Sequence, residues 1–344
     1  MSGARNLSPA EAVERWLDKR SIELRDQTVE THQYRLKLFA DWCEENEIET
    51  MDQLTGWDVD TYETDRRSIA TQITLSKELG TLKNFLEWAE GIGVLSEGVA
   101  EVVDPPKMPA DPSSNVKLAP SDATTLIEFY RSSDERASRS HALLELVWFT
   151  GARVGGIRSL DVRDYFSDEQ YVRFVHRPES GTVLKKGVDG QRAVALPSAV
   201  CDVLDEYIAQ NRMDVYDDEG RQPLLTSRMG RPTGGTVRDW MYYATAPCHH
   251  GPCPHEKDPA TCDWYGLTLG SKCPSTRSPH QVRTGAVTWM RNRGIPREVV
   301  KERVNASERT IEKHYDKIDP VAEMEARRRE YADQIRLEDT EDKK

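Results

Sequence analysis

The chain has 344 residues, a formal net charge of −12, 37% hydrophobic residues and 31% charged residues. This length suggests two domains, each with enough apolar residues for a core. No apolar run approaches the ~18 residues of a membrane span, and "MSGARNLSPAEAVERW" lacks the apolar centre of a signal peptide, so a cytoplasmic protein with no membrane partner is expected.

In chain order, "SPAEAVERWLDKR" predicts a first helix: Ser8 is placed to cap it, Pro9 opens it and Glu11 completes a capping box. "YRLKLFADWCEEN" predicts a second, with Tyr34, Leu38 and Trp42 at spacing four. "LSKELGTLKNFLEWAEGIGVL" aligns Leu75, Leu79, Leu82 and Leu86 on one face of another. Residues 1–103 are therefore expected to form a small all-helical domain. "DPPKMPADPSSNVK" cannot continue a helix through four prolines, so residues 104–118 are expected to be an extended linker.

Residues 119–336 are expected to form a larger unit. Its "HALLELVWFTGARVGG" predicts a largely apolar helix ending in a glycine-rich turn. "QYVRFVHR", "TVLKK" and "RAVALP" have strand character, with "KGVDGQ" as a hairpin turn, and "SAVCDVLDEYIAQN" returns to helix. Residues 337–344, "LEDTEDKK", are expected to be a disordered tail. The fold class expected is mainly α with a small β-sheet.

Net acidity argues against a nucleic-acid partner, but the positive charge is uneven. Of the 47 basic residues 32 are arginine, and residues 266–303 carry eight Lys/Arg against two Glu. A phosphate responds to that local excess more than to the global charge. An acidic chain with few lysines also suits a high-salt cytoplasm.

Four stretches bear chemistry: "TGARVGG" with Arg153, "LKKGVDGQRAVALP" with Lys185 and Lys186, "SPHQVRTGAV" with His280 and Arg283, and "EKHYDK" with Tyr315. Singly each is weak; an arginine after a helix is commonly a surface ion pair, and HxxR is a frequent pattern. Their order and spacing resemble the catalytic domain of tyrosine recombinases, the phage-integrase and Xer-type family. The resemblance covers residues 119 to about 320, and "LLTSRMGRP" is similar to the family's segment between hairpin and HxxR. The N-terminal part matches in character only, as a helical core-binding domain that clamps DNA. The acidic composition, with "CPSTRSPHQVRTGA" and "ERVNASERTIEKHYD", looks most like integrases of halophilic archaea.

The resemblance implies a site-specific recombinase that cuts and rejoins double-stranded DNA through a 3′-phosphotyrosine, as a homo-oligomer, a tetramer at synapsis. A phenol with a pKa of about 10 is a poor nucleophile at neutral pH. It can attack a phosphodiester whose oxygens are neutralised and whose leaving 5′-oxygen is protonated. Tyr315 would attack, Arg153 and Arg283 would hold the non-bridging oxygens, and His280 would assist proton transfer or fix the phosphate. A hairpin lysine would protonate the leaving group. Strand alternation would let only one of Lys185 and Lys186 face the phosphate, and Lys185 is the choice made. Fixed cations would replace a metal in this chemistry. Asn305 stands where the family usually has His or Trp; it can donate a hydrogen bond but carries no proton.

Cys43 and Cys201 fall in apolar helical patterns and read as core thiols. Cys248, Cys253, Cys262 and Cys273 cluster within 26 residues, with spacings of four, eight and ten, and His249, His250 and His255 lie between them. In an intracellular chain this favours structural zinc on the four thiolates, bracing an insertion at residues 246–275. Three rival readings remain: a catalytically impaired DNA-binding protein on a recombinase scaffold, a zinc-dependent DNA-binding regulator, and a type IB topoisomerase.

Overall fold

The computed structural model describes residues 6–109, 116–311, 320–329 and 331–332. It divides into two compact units, Met1–Pro112 and Ser113–Lys344. Tyr315, part of the linker at residues 110–115, and the tail at residues 337–344 lie outside the described residues.

In the first unit, α1 (Pro9–Ser21), α2 (Asp26–Glu45), α3 (Gly56–Ile69) and α4 (Gln72–Gly91) follow local signals. The Ser8–Glu11 capping box opens α1, a Thr55–Asp58 box opens α3, and the Thr71 hydroxyl caps α4. Leu75, Leu79, Leu82 and Leu86 of α4 are all buried. On α2 the buried stripe is Leu36, Phe39 and Cys43, whereas Tyr34 is 68% exposed. Apolar residues wrap more than one face of α2, and packing against α1 and α4 selects the buried one. Phe39 meets Tyr62 and Phe85 edge-on in the resulting core.

The second unit opens with α5 (Pro120–Ser132) and α6 (Arg139–Thr150). α6 is buried on nearly every side and packs against α5, α8 (Ser198–Glu206), α9 (Gly234–Ala244) and α10 (Pro279–Asn292). Its polar core residues are paired: Arg131 donates to Glu145 at 2.8 Å, and His141 Nε2 lies 3.2 Å from the same Oε1. α7 (Val154–Ser159) leads to an antiparallel sheet of β1 (Tyr165–Phe166), β2 (Tyr171–Phe174) and β3 (Arg192–Ala195), in that order, with Val172 opposite both Tyr165 and Val194. α11 (Arg297–Val304), α12 (Glu308–Thr310) and α13 (Pro320–Arg327) follow α10. The molecule is thus mainly helical with one small sheet. "TVLKK" forms no strand: Lys185 and Lys186 occupy a turn ahead of the short 3-10 segment Gly187–Gly190.

One charged network joins the sheet to the segment before α9. Arg177 makes two bonds to Asp164, at 2.8 and 2.6 Å. Arg231 and Arg221 both bond Asp217, and Arg231 also bonds Asp161. Asp161 and Asp164 are buried, and the arginines around them supply the opposite charge.

Candidate active site

α6 ends at Gly151, which takes the left-handed conformation at φ 58°. A Cβ there would lie 2.6 Å from the Val304 side chain, so glycine lets the end of α11 close onto the end of α6. The backbone then turns through Arg153 into α7. Arg153 Nη1 donates to the Asn305 carbonyl at 2.8 Å.

Arg283 reaches the same place from α10. It is 1% exposed and donates through Nη1 to the Val304 carbonyl at 2.8 Å and to the Gly151 carbonyl. Consecutive carbonyls at the end of α11 therefore receive the two arginines that sequence reasoning singled out. Carbonyls at a helix C-terminus carry partial negative charge. They orient a guanidinium without cancelling its full charge.

Two further arginines join them, and sequence reasoning missed both. Arg192, the first residue of β3, donates to the Arg303 carbonyl at 2.8 Å and to the Gly190 carbonyl at 3.1 Å. Its guanidinium lies 4.1 Å from the Phe174 ring centroid. Arg303 donates to the Phe149 carbonyl at 2.8 Å and to the Ala195 carbonyl at 2.7 Å. Among the described residues no ion pair reaches Arg153, Arg192 or Arg303. Burial, followed by the fields of Arg283, Arg153 and Arg303, pushes the Arg192 guanidinium down to about 9. Burial lowers Arg303 as well. Their only sequence signal is a charged residue opening an otherwise apolar strand and one closing a helix, and neither position announces a shared destination.

Asn305 caps α11 at φ 48°, a conformation asparagine tolerates. Its Nδ2 lies 3.5 Å from the Asp189 carbonyl, so its side chain faces the turn that follows the lysines. Gly190 makes that approach possible, because a Cβ there would stand 3.2 Å from Asn305 Nδ2 and 3.0 Å from Leu184 Cβ. Lys185 and Lys186 are both exposed. With no strand beneath them, alternation does not distinguish the two. His280 is exposed in the first turn of α10, one helical turn before buried Arg283. An open cleft of about 580 Å³ adjoins the cluster, with Arg173, Arg177, Gln191 and Arg192 among its lining residues.

The zinc expectation is corrected. Among the described residues no three His, Cys, Asp or Glu side chains converge to hold a metal, and Cys248, Cys253, Cys262 and Cys273 are free, half-buried thiols. Aromatic contacts and turns brace the segment instead. His249 packs on Tyr243 and Tyr265, His255 packs on Trp264 and bonds Ser275 at 3.0 Å, and Lys257 lies over Trp264. The Thr276 hydroxyl donates to the Gly270 carbonyl at 2.6 Å and the Cys273 carbonyl at 2.9 Å. Among the described residues the four expected thiolates do not come together as a ligand set, and the zinc-dependent regulator falls with the metal. Cys43 and Cys201 are buried core thiols.

The chain matches the Phage integrase family over residues 117–320, and the phage integrase N-terminal SAM-like domain over residues 13–91. It belongs to the phage integrase family. Among curated relatives, it is 26% identical over 162 residues to tyrosine recombinase XerC of Roseiflexus castenholzii, covering 46% of this chain and 48% of that one. It is 28% identical over 156 residues to XerC of Corynebacterium efficiens, covering 43% and 44%. The match thus spans about half the length of these relatives. Among solved structures, a lambda integrase dimer bound to a COC′ core site superposes with a TM-score of 0.62 at 12% identity, over 92% of this chain and 81% of that one. The Tn1549 transposon integrase in complex with transposon right-end DNA gives 0.62 at 12% identity, over 95% and 99%. These likenesses establish the shared fold. No helix among the described residues is long and apolar enough to cross a membrane.

Proposed function

We propose that this phage integrase family member is a site-specific DNA recombinase that cuts and rejoins duplex DNA through a 3′-phosphotyrosyl intermediate on Tyr315. The observation that carries the reading is the arginine cluster held by backbone carbonyls. Arg177, Arg221 and Arg231 of the same unit face aspartates, whereas among the described residues Arg153, Arg192 and Arg303 converge on carbonyls around the end of α11 with no carboxylate paired to them. Positive charge oriented in this way, without a neutralising carboxylate, suits a phosphodiester.

In the proposed step the Tyr315 phenolic oxygen attacks phosphorus and the bond to the 5′-oxygen breaks. Arg153 and Arg283 neutralise the non-bridging oxygens. Lys185 gives its proton to the departing 5′-oxygen, with Lys186 the alternative on the same turn. His280 receives the phenolic proton or binds the phosphate. Asn305 serves as a hydrogen-bond donor. The phosphotyrosine conserves the bond energy, so the reverse attack by a 5′-hydroxyl rejoins DNA without a nucleotide cofactor.

The XerC relatives support a Xer-type assignment. A lambda integrase tetramer bound to a Holliday junction, another structure of the same fold, supports a homotetrameric synapse on DNA. The N-terminal helical unit is proposed to clamp DNA, and the protein to work in a high-salt cytoplasm.

Covalent trapping on nicked suicide substrates tests the reading. Wild type should form a protein–DNA adduct, and Tyr315→Phe should form none while retaining non-covalent binding, because most affinity comes from phosphate contacts elsewhere. An adduct that persists in Tyr315→Phe would remove Tyr315 as nucleophile. Binding without any adduct in wild type would favour the catalytically impaired scaffold, and relaxation of supercoiled DNA without a defined site would favour a type IB topoisomerase.

A further inference from the structure

We propose that Arg192 is a positioning residue: it ties the lysine turn to the end of α11, so that the turn's general acid reaches the leaving oxygen of a phosphate held by Arg153 and Arg283. The proposal rests on the recombinase reading above, and it holds whichever lysine serves.

Lys185 and Lys186 are exposed, and no regular strand holds them. Upstream, Leu184 N donates to His176 Nδ1 at 3.0 Å, and Gly187 N donates to the Leu184 carbonyl at 2.9 Å. Both bonds are local to the sheet and its turn. The far side of the turn is tied to the arginine site. Arg192 holds the Gly190 carbonyl with Nη1 and the Arg303 carbonyl with Nε, bridging turn and helix end through one planar group. Arg303 answers in the opposite direction, donating from α11 to Ala195 on β3 and to Phe149 on α6. The weaker 3.5 Å approach of Asn305 to Asp189 lies between these braces.

The choice of residue is informative. A half-buried guanidinium beside three others is electrostatically unfavourable, so an apolar residue would give a more stable sheet edge. What only arginine supplies is a rigid fork that reaches two carbonyls at once, with a stem and plane that pack on Phe174. A misplacement of about 1 Å in a catalytic group can lower a rate by about 10²-fold, so such a brace matters more to proton delivery than to DNA affinity.

The test compares single-turnover cleavage of two suicide substrates, one with the normal 5′-oxygen and one with sulfur at the bridging position. A thiolate leaves without needing a proton. In Arg192→Met, which keeps an unbranched stem over Phe174, cleavage of the oxygen substrate should fall about 10²-fold. The sulfur substrate should restore most of that loss, as it should for the variant lacking the catalytic lysine. Equal loss on both substrates would overturn the proposal, whether Arg192 then binds the phosphate itself or merely stabilises the fold. Should Arg192→Met fail to fold, Arg192→Lys, which keeps the charge and an unbranched stem but lacks the planar fork that reaches the two carbonyls from separate nitrogens, is read in the same way. Wild type that cleaves neither substrate would instead overturn the recombinase reading.

Discussion

Arg283 and Arg177 are both buried arginines of one unit, and the bonds that orient them differ in kind. Arg177 forks onto Asp164, whereas Arg283 donates to the carbonyls of Val304 and Gly151. A carboxylate consumes the charge; a helix-end carbonyl aims it. Arg283→Lys should therefore lower single-turnover adduct formation by about 10²-fold or more, because an ammonium cannot hold two carbonyls and a phosphate oxygen in a planar fork. Gel assays of adduct and of non-covalent complex on the same DNA would check it; activity near that of wild type would remove Arg283 from the phosphate site. The lysine assignment is tested with the sulfur substrate, which should rescue Lys185→Ala and leave Asn305→Ala unrescued. Rescue confined to Lys186→Ala would move the role by one residue.

Elements explain which sequence signals survived. Capping boxes and 3.6-residue periodicity act within a turn or two, so α1, α4 and α6 are legible from their own residues. "TVLKK" reads as strand by composition, yet its bonds go to a turn, and no pattern within five residues could reveal that. The stripe on α2 failed similarly, since its neighbours α1 and α4 choose between candidate faces. Between elements, Asp161 is 1% exposed and lies within 3.7 Å of Arg177, Arg221 and Arg231. Asp161→Asn should destabilise the second unit by about 3 kcal/mol, because it leaves largely buried guanidiniums uncompensated; denaturant melts of the variant against wild type measure this, and a change below about 1 kcal/mol would contradict the pairing. Gly285 makes a second element-scale point. A Cβ on it would stand 2.0 Å from the Leu118 carbonyl, so Gly285→Ala should push α10 off the segment entering α5. Loss of about 2 kcal/mol or more is expected by the same melts.

At the scale of the molecule, net charge and local charge pull in opposite directions. A chain at −12 repels itself, and 1 M salt shortens the screening length to about 3 Å. The melting temperature should therefore rise with KCl while DNA affinity falls, because neutralising phosphates releases counterions. A melting temperature that falls as KCl rises would count against the high-salt reading. The cysteine cluster carries the same lesson about scale: its spacing raised the expectation of a metal, but among the described residues the folded loop does not bring the four thiols together as a ligand set. Helix positions and the glycine turn after α6 were readable from the chain alone, because each depends on neighbours a few residues away. That Arg153, Arg192 and Arg303 meet carbonyls rather than carboxylates was not. Arg153 finds its carbonyl 152 residues downstream and Arg192 finds one 111 residues downstream. Whether a charge meets a carboxylate or a carbonyl over such separations is decided by how helices and sheet pack, which no local pattern encodes.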